Sequence, residues 1–112
     1  MADLSIVAVM PAYKSDAQIL DVLNRMPAFV TKIIVVDDHC PNRTGKLVQK
    51  KISDTRVNVI FNETNLGVGG AVIAGFREAL KTDADIIVKI DSDGQMNPED
   101  IENLIEPLVY GK

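Results

Sequence analysis

Two carboxylates one residue apart are the side chains best suited to chemistry in this sequence. Asp91 and Asp93 follow a short, mostly apolar run, residues 86–90, with no basic residue adjacent to either. Neighbouring carboxylates repel, and Mg²⁺ or Mn²⁺ relieves that repulsion through the oxygen ligands it prefers. The pair therefore predicts a divalent-metal site, and the alternative is a turn in which both accept hydrogen bonds from local backbone amides. An EF-hand is excluded, because Met96 stands where that calcium loop requires glycine.

A second acidic pair, Asp37 and Asp38, ends another apolar run. A carboxylate in that place can accept a hydrogen bond from a ribose hydroxyl or a base N–H. The alternative is that one of the two caps the next segment, near Thr44. His39 and Cys40 adjoin the pair, but they supply too few ligands for a metal site and are interpreted as loop residues.

A glycine-rich stretch, NLGVGGAVIAG, suggests a phosphate loop at the start of a helix. Gly67 and Gly69 fit a dinucleotide fingerprint, but Val72 stands at its third glycine, and the Gly-Lys-Ser/Thr of a P-loop is missing. We therefore expect a tight turn that starts a helix, with Gly75 allowing close packing within it.

The elements that must position these residues alternate between strands and helices. The predicted strands cover residues 5–10, 32–37, 56–61 and 85–90, with Pro11 ending the first, and the predicted helices begin near Ser15, Thr44, Gly67 and Pro98. This alternation predicts an α/β fold: an open, mostly parallel sheet with helices on both faces. Ligands bind beyond the carboxyl ends of such strands, where Tyr13 and both acidic pairs should meet. The third strand alternates most and is expected near a sheet edge.

Composition limits the function classes. The 112 residues carry a net charge of −4, which argues against nucleic acid as a partner. No apolar run reaches the length of a membrane span, and the N-terminus lacks the features of a secretion signal. Cys40 is the only cysteine, which fits a reducing compartment, so a cytoplasmic location is expected. Lys46, Lys50 and Lys51 predict a solvated helix face, the alternative being a face for an acidic or membrane partner.

Taken in order, four motifs resemble those of family 2 glycosyltransferases along essentially the whole chain. They are Pro11-Ala12-Tyr13, Val36-Asp37-Asp38, Asn65-Leu66-Gly67-x-Gly69-x-Ala71, and Asp91-x-Asp93-x-Gln95 with Pro98-Glu99. The last is most similar to the dolichyl- and polyprenyl-phosphate sugar transferases. The resemblance implies a Rossmann-like GT-A fold, a UDP- or GDP-sugar donor, Mg²⁺ or Mn²⁺, and a polyprenyl phosphate or saccharide acceptor.

The resemblance also implies a role for each matching residue. The implied nucleotide-sugar site comprises Pro11, Ala12, Tyr13, Asp37, Asp38, Asp91, Ser92, Asp93 and Gln95. The first three would line the base pocket and Asp38 would bond the base. Asp91 and Asp93 would hold the metal against the diphosphate, with Gln95 beside them. One departure is Lys14-Ser15 after the tyrosine, where the family usually has Asn-Glu.

The family's transferase domain is longer than this chain, so residues 1–112 are expected to be its donor-binding part. The general base would then lie beyond residue 112, the flank of the fourth strand would be exposed and favour self-association, and the full-length protein could lie at the inner face of a membrane. The alternatives are a non-catalytic nucleotide-binding module, a haloacid-dehalogenase-type phosphatase and a receiver domain. In the last two families the acidic residues follow the first strand, whereas Asp91 follows the last.

Overall fold

Strands and helices alternate along the chain, as predicted. The computed structural model describes residues 4–13, 16–39, 41, 43–92 and 100–103. The strands are β1 (Ile6–Ala12), β2 (Lys32–Asp37), β3 (Val57–Phe61) and β4 (Ile86–Lys89). The helices are α1 (Asp16–Asn24), α2 (Thr44–Lys51) and α3 (Gly67–Ala79). Of the predicted last helix, residues 100–103 are described; they are helical, and Ile101 is buried in the core.

The four strands form one parallel sheet in the order β3-β2-β1-β4. The central strands β1 and β2 are almost wholly buried, which accounts for their nearly continuous apolar sequence. β3 mixes half-buried with exposed residues and lies at one edge, which confirms the prediction from its alternation. Since β1 pairs with both β2 and β4, the segments that follow these three strands meet at one edge of the sheet.

The prediction that the first strand stops at Pro11 is wrong, because β1 continues through Ala12. The carbonyl oxygen of Val9 accepts from Ile90 N–H at 2.9 Å, so alternate residues from Val9 to Pro11 direct their backbone groups toward the β4 side. The last ladder pair on that side is Val9 with Lys89. The N–H that proline lacks would therefore point past the end of β4, and no ladder hydrogen bond is lost.

Helices cover both faces of the sheet, as predicted. One face packs on α1 and α2 through a buried cluster that includes Ile6, Met10, Ile19, Ile33 and Val48. The other packs on α3 through Val7, Val9, Ile34, Val36 and Ala71. Gly75 lets α3 lie close to the sheet, because a Cβ there would overlap Val9 and come within 3.0 Å of Val36 Cγ2. This confirms the predicted close packing and fixes the N-terminus of α3 at the carboxyl edge.

An ion pair lies at the opposite edge of the sheet, where the strands begin. Arg56 Nη2 contacts Asp54 Oδ2 at 2.7 Å, and Arg56 Nη1 donates to the carbonyl oxygens of Pro27 and Val30 at 2.7 and 2.8 Å. The hydrogen bonds from the Arg56 side chain and backbone lower the pKa of Asp54 below its ordinary value of 3.8, outweighing the effect of burial. This contact joins the start of β3 to the segment between α1 and β2, away from the acidic pairs.

The large exposed apolar side chains of the described residues lie mostly around α3, and self-association through β4 and the helix after it stays a prediction, because most of that helix lies outside the described residues. In the described part of the chain, the large ones are Tyr13, Phe61, Leu66, Val68, Ile73 and Leu80. Most belong to α3 and its flanking residues, whereas β4 is largely half-buried. No helix among the described residues combines the length and apolar character that a membrane crossing requires.

Candidate functional site

An open pocket of about 620 Å³ lies at the carboxyl ends of β1, β2 and β3. Aromatic, amide and basic side chains dominate its lining, which comprises Tyr13, Asp37, His39, Pro41, Arg43, Lys46, Phe61, Asn62 and Asn65. Two of the predicted site residues, Tyr13 and Asp37, are among them. The pocket therefore occupies the edge of the sheet where the sequence predicted a site.

Asp37 caps the helix that follows it. Its side chain is buried, and Oδ2 accepts the Gly45 backbone N–H at 2.7 Å. That N–H belongs to the first turn of α2, where backbone donors have no partner within the helix. Gly45 is needed for the approach, because a Cβ there would come within 2.8 Å of Asp37 Oδ2 and 2.7 Å of Phe61 Cε1. Of the two roles considered for this acidic pair, the structure gives Asp37 the capping role.

Asp38 fixes the loop between β3 and α3. The side chain is buried, and Oδ1 accepts from Asn62 Nδ2 at 2.8 Å and from Leu66 N–H at 2.9 Å. Its own N–H donates to Ala12 O at 3.2 Å, which ties the loop to the end of β1. Within the described residues Asp38 does not line the pocket, but Asn62 and Asn65 of the loop do. The structure thus gives Asp38 a positioning role, and its direct contact with a base stays a prediction.

The ends of β1 and β4 are joined by a serine. Ser92 is buried, and its Oγ donates to Pro11 O at 2.9 Å. Ala12 is buried and Pro11 half-buried, whereas Tyr13 projects with 43% of its surface exposed. The motif after β4 and the motif after β1 are therefore neighbours, as the parallel topology predicted.

Asp91 has a basic partner, so the expectation that none lies adjacent is wrong. Lys89 Nζ contacts Asp91 Oδ1 at 2.9 Å, and the two side chains are 40% and 43% exposed. An exposed pair of this kind adds little stability, so a cation can compete for the carboxylate. Asp93 and Gln95 lie outside the described residues. The described residues contain no group of three acidic, histidine or cysteine side chains that could hold a metal, and a site here would need Asp93 and ligand oxygens as well.

The basic side of the pocket was not predicted. His39 was interpreted as a loop residue and Lys46 as part of a solvated face, yet both line the pocket with Arg43. Lys46 Nζ lies 5.2 Å from the centre of the Phe61 ring, a cation–π contact across one wall. Their position in the sequence could have indicated this, because His39, Arg43 and Lys46 all follow β2, at the edge of the sheet where ligands bind. With Arg43 and Lys46 positive and Asp37 negative, the lining carries a local positive charge on an acidic chain.

Comparisons with known proteins agree with this architecture. A family model described as glycosyl transferase family 2 matches residues 7–112. The UDP-N-acetylglucosamine–dolichyl-phosphate N-acetylglucosaminyltransferase of Methanococcus voltae is 34% identical over 97% of this chain and 49% of its own length. The undecaprenyl-phosphate mannosyltransferase of Micrococcus luteus is 33% identical over 94% of this chain and 44% of its own. The chain thus spans about half the length of the curated relatives it matches.

A solved structure shares the fold. The S. aureus TarS fragment 1–349 in complex with UDP-GlcNAc superposes with a TM-score of 0.73 over 95% of this chain and 31% of that chain, at 22% identity. At that identity the likeness establishes the fold alone, and it confirms the predicted GT-A arrangement. The family is established by sequence, since the family model covers nearly the whole chain and both relatives exceed 30% identity across more than nine-tenths of it. The chain belongs to glycosyl transferase family 2.

Proposed function

We propose that this chain is the donor-binding part of a glycosyltransferase and that its pocket binds the nucleoside diphosphate of a sugar donor. The observation that carries the proposal is the position of the pocket. It opens at the carboxyl ends of β1–β3, and only the end of β1 separates it from Asp91 and Ser92. A nucleoside in the pocket would direct its phosphates across β1 toward those residues.

The lining suits a nucleoside. Tyr13 and Phe61 are 43% and 44% exposed and offer aromatic surface for stacking on a base. Asn62 and Asn65 offer amide donors and acceptors. The volume, about 620 Å³, lies within the range of small-molecule sites. The pocket thus combines apolar surface with a few polar groups, as such sites require.

The cation belongs to the same proposal. Asp91 and Asp93 would hold Mg²⁺ or Mn²⁺ with oxygens of the diphosphate; Ser92 stands between them in sequence, and Gln95 follows two residues after Asp93. When bound, the metal acts as a Lewis acid that stabilises negative charge on the departing nucleoside diphosphate. Lys89 Nζ contacts Asp91 Oδ1 at 2.9 Å, and a cation bound by Asp91 would compete with that contact.

The acceptor is proposed by class. One relative is named for a UDP-sugar and dolichyl phosphate, and another is named for undecaprenyl phosphate. We extend that class, a polyprenyl phosphate, to the whole protein in which this chain supplies the donor site, with a saccharide as the second candidate acceptor. The role that we propose for this chain itself is to bind and orient the sugar donor.

Calorimetric titration of UDP and GDP, in Mn²⁺ and in EDTA, tests the proposal. At least one of the two should bind, and Mn²⁺ should tighten binding by about tenfold, equivalent to about 1.4 kcal/mol. Asp91→Asn should remove most of that gain. Asp83→Asn is the matched control, because Asp83 is exposed and precedes β4 at the other end. Equal affinities in Mn²⁺ and EDTA would refute the metal role, and failure of both nucleotides to bind would refute the proposed function.

A further inference from the structure

The face of α3 that points away from the sheet carries a row of exposed aliphatic side chains. The residues of α3 that are buried recur at every fourth position: they are Ala71, Gly75 and Ala79. On the opposite face, three large side chains that are each more than half exposed follow one another at intervals of seven residues: they are Leu66, Ile73 and Leu80. Seven residues are close to two full turns, so the three form one row, which we call the outer stripe.

The outer stripe keeps its direction along the whole helix. Leu66 is the N-cap and Leu80 the C-cap, and both have right-handed helical backbone angles. Ile73 lies two positions from Ala71 and from Gly75, about 200° around the helix from each, and therefore points straight away from the sheet. Single exposed aliphatic side chains are ordinary, but a continuous row of them marks an interaction surface.

We infer that the outer stripe is a self-association surface, on which α3 of a second copy packs in the antiparallel direction with Ile73 at the centre. This inference concerns a surface outside the pocket and does not depend on the proposed donor binding. The symmetry of the stripe carries it.

A twofold dimer requires a surface that is complementary to itself. Leu66 and Leu80 are equally far from Ile73, seven residues on either side. A twofold axis through Ile73 therefore places Leu66 of one copy against Leu80 of the other, and Ile73 against Ile73. Apolar side chains meet along about 21 Å of helix, since each residue adds about 1.5 Å. A seven-residue interval is also the one that keeps two helices in contact along their length.

The residues between the aliphatic side chains fix the direction of packing. The same axis places Gly69 of one copy opposite Arg77 of the other, and both positions are exposed. A Cβ at Gly69 would meet no atom within 4 Å, so the glycine leaves open backbone surface on which the methylene groups of Arg77 can lie, with the guanidinium in water. Parallel packing would instead bring two Arg77 side chains together, and like charges at that distance repel.

The other possible occupants fit the outer stripe less well. Further strands beyond β4 would extend the sheet sideways, and their helices would lie beside α3 and leave its outer face open. Helices that lie on anionic membranes carry many basic residues on the polar face. Arg77 is the only basic residue of α3, and the basic helix α2 packs on the other face of the sheet. A second copy is therefore the favoured partner.

The size of the contact sets its strength. One helix from each copy buries well under the roughly 800 Å² per partner of a standard interface, so the dimer should be weak and reversible. We expect half of the chains to be dimeric at roughly 0.1 mM.

Sedimentation equilibrium of the unmodified protein, from about 10 µM to about 1 mM, measures the association. The average mass should rise from that of one chain toward that of two. Ile73→Glu places two carboxylates on the twofold axis and should weaken association at least about tenfold. Val68→Glu is the matched control, because Val68 is 65% exposed, more than the 54% of Ile73, and belongs to the same helix but points away from the stripe. It should change the association less than about twofold. Circular dichroism should show unchanged helix content in both variants.

Cross-linking tests the antiparallel direction. Leu66→Cys and Leu80→Cys are made separately in a Cys40→Ser background and treated with a short bis-maleimide. A mixture of the two should give covalent dimers that contain one chain of each, whereas neither variant alone should cross-link, because its two cysteines would lie roughly 21 Å apart.

Three results would overturn the inference. One is an unmodified protein that stays monomeric at about 1 mM. The second is an equal loss of association in Val68→Glu and Ile73→Glu, or cross-linking of each cysteine variant only to itself. The third is binding of the monomer to phosphatidylglycerol vesicles that Ile73→Glu abolishes, which would assign the outer stripe to a membrane. None of these results bears on nucleotide binding, so the proposed function is tested separately.

Discussion

Replacing Asp38 separates two roles for this residue, positioning a loop and contacting a base. Asp38→Ala would leave Asn62 Nδ2 and Leu66 N–H without the acceptor they reach at 2.8 and 2.9 Å. A hydrogen bond to a charged group contributes about 1.5–3 kcal/mol. Since the loop is partly exposed and water can replace some of the loss, we take the lower value for each bond and expect about 3 kcal/mol of lost stability. At about 4 °C per kcal/mol for a chain of this size, the midpoint should fall by about 12 °C.

Asp38→Asn is the discriminating variant. The asparagine keeps an oxygen that can accept from both donors, so the loop should hold its position at a cost of about 1 kcal/mol. Nucleoside binding should then change less than about threefold. If Asp38 instead bonds the base directly, as the family resemblance implies, the neutral amide should weaken nucleoside binding by about 1–3 kcal/mol, even without metal.

Far-ultraviolet circular dichroism is the suitable probe of unfolding, because the chain has no tryptophan. Calorimetry with the free nucleoside measures binding, and Asp83→Ala, at an exposed position, controls for the loss of a charge. The positioning argument fails if Asp38→Ala unfolds like the unmodified protein. It also fails if Asp38→Asn abolishes nucleoside binding while its midpoint is unchanged.

Two predictions concern the scaffold. Gly75→Ala should destabilise the protein by about 1–3 kcal/mol in chemical denaturation, because the added Cβ overlaps Val9. Gly69→Ala in the same helix is the control: its Cβ meets nothing within 4 Å, so it should stabilise the protein by about 0.5–1 kcal/mol. Equal effects of the two substitutions on stability would refute the packing argument. Asp54 has a lowered pKa, so its contribution is present above the unfolded value near 3.8 and is lost as pH falls toward the folded pKa. Asp54→Asn should therefore lower the free energy of unfolding near neutral pH and flatten its decline below about pH 4; an unchanged acid limb would contradict the assignment.

The fold was largely predictable, because the apolar runs are strong signals of buried strands. Residues 32–37 were predicted as a strand and form β2 with the same bounds. Gly67 begins α3 as predicted. The error at Pro11 arose because a proline was treated as a local stop, although its effect depends on what lies beside it in the sheet. The neighbouring β4 ends before Pro11, and sequence alone does not give that register.

The location of the candidate site could be predicted from the sequence, but the contacts of its side chains could be predicted only in part. Parallel topology brings the ends of β1, β2 and β4 together whatever the loops do, so Tyr13 and Asp91 were placed at the correct edge. The partners of Asp37 and Asp38 depend on the paths of two loops, which local sequence does not specify. Arg43 and His39 were missed for the same reason, since a positive φ is signalled in sequence by glycine and neither residue is one.

The two sides of the proposed site differ in how deeply their carboxylates are buried and how many hydrogen bonds hold them. On the pocket side, Asp37 and Asp38 are buried; Asp37 accepts a hydrogen bond from α2, and Asp38 accepts one from the loop before α3. That side is therefore formed before a ligand arrives. On the other side of β1, the Asp91 side chain is 43% exposed and contacts Lys89, whose side chain is 40% exposed, and such a contact costs little to break.

The end of β1, anchored by the bond from Ser92 to Pro11, is the fixed point between the two sides. A ligand that spans both would gain nucleoside contacts from a preformed surface and phosphate contacts from one that a cation must complete. Nucleoside recognition should therefore be independent of metal, whereas the added affinity of a diphosphate should depend on it. This expectation follows from the burial of Asp37 and Asp38 and from the exposure of the Asp91 side chain, which is 43%.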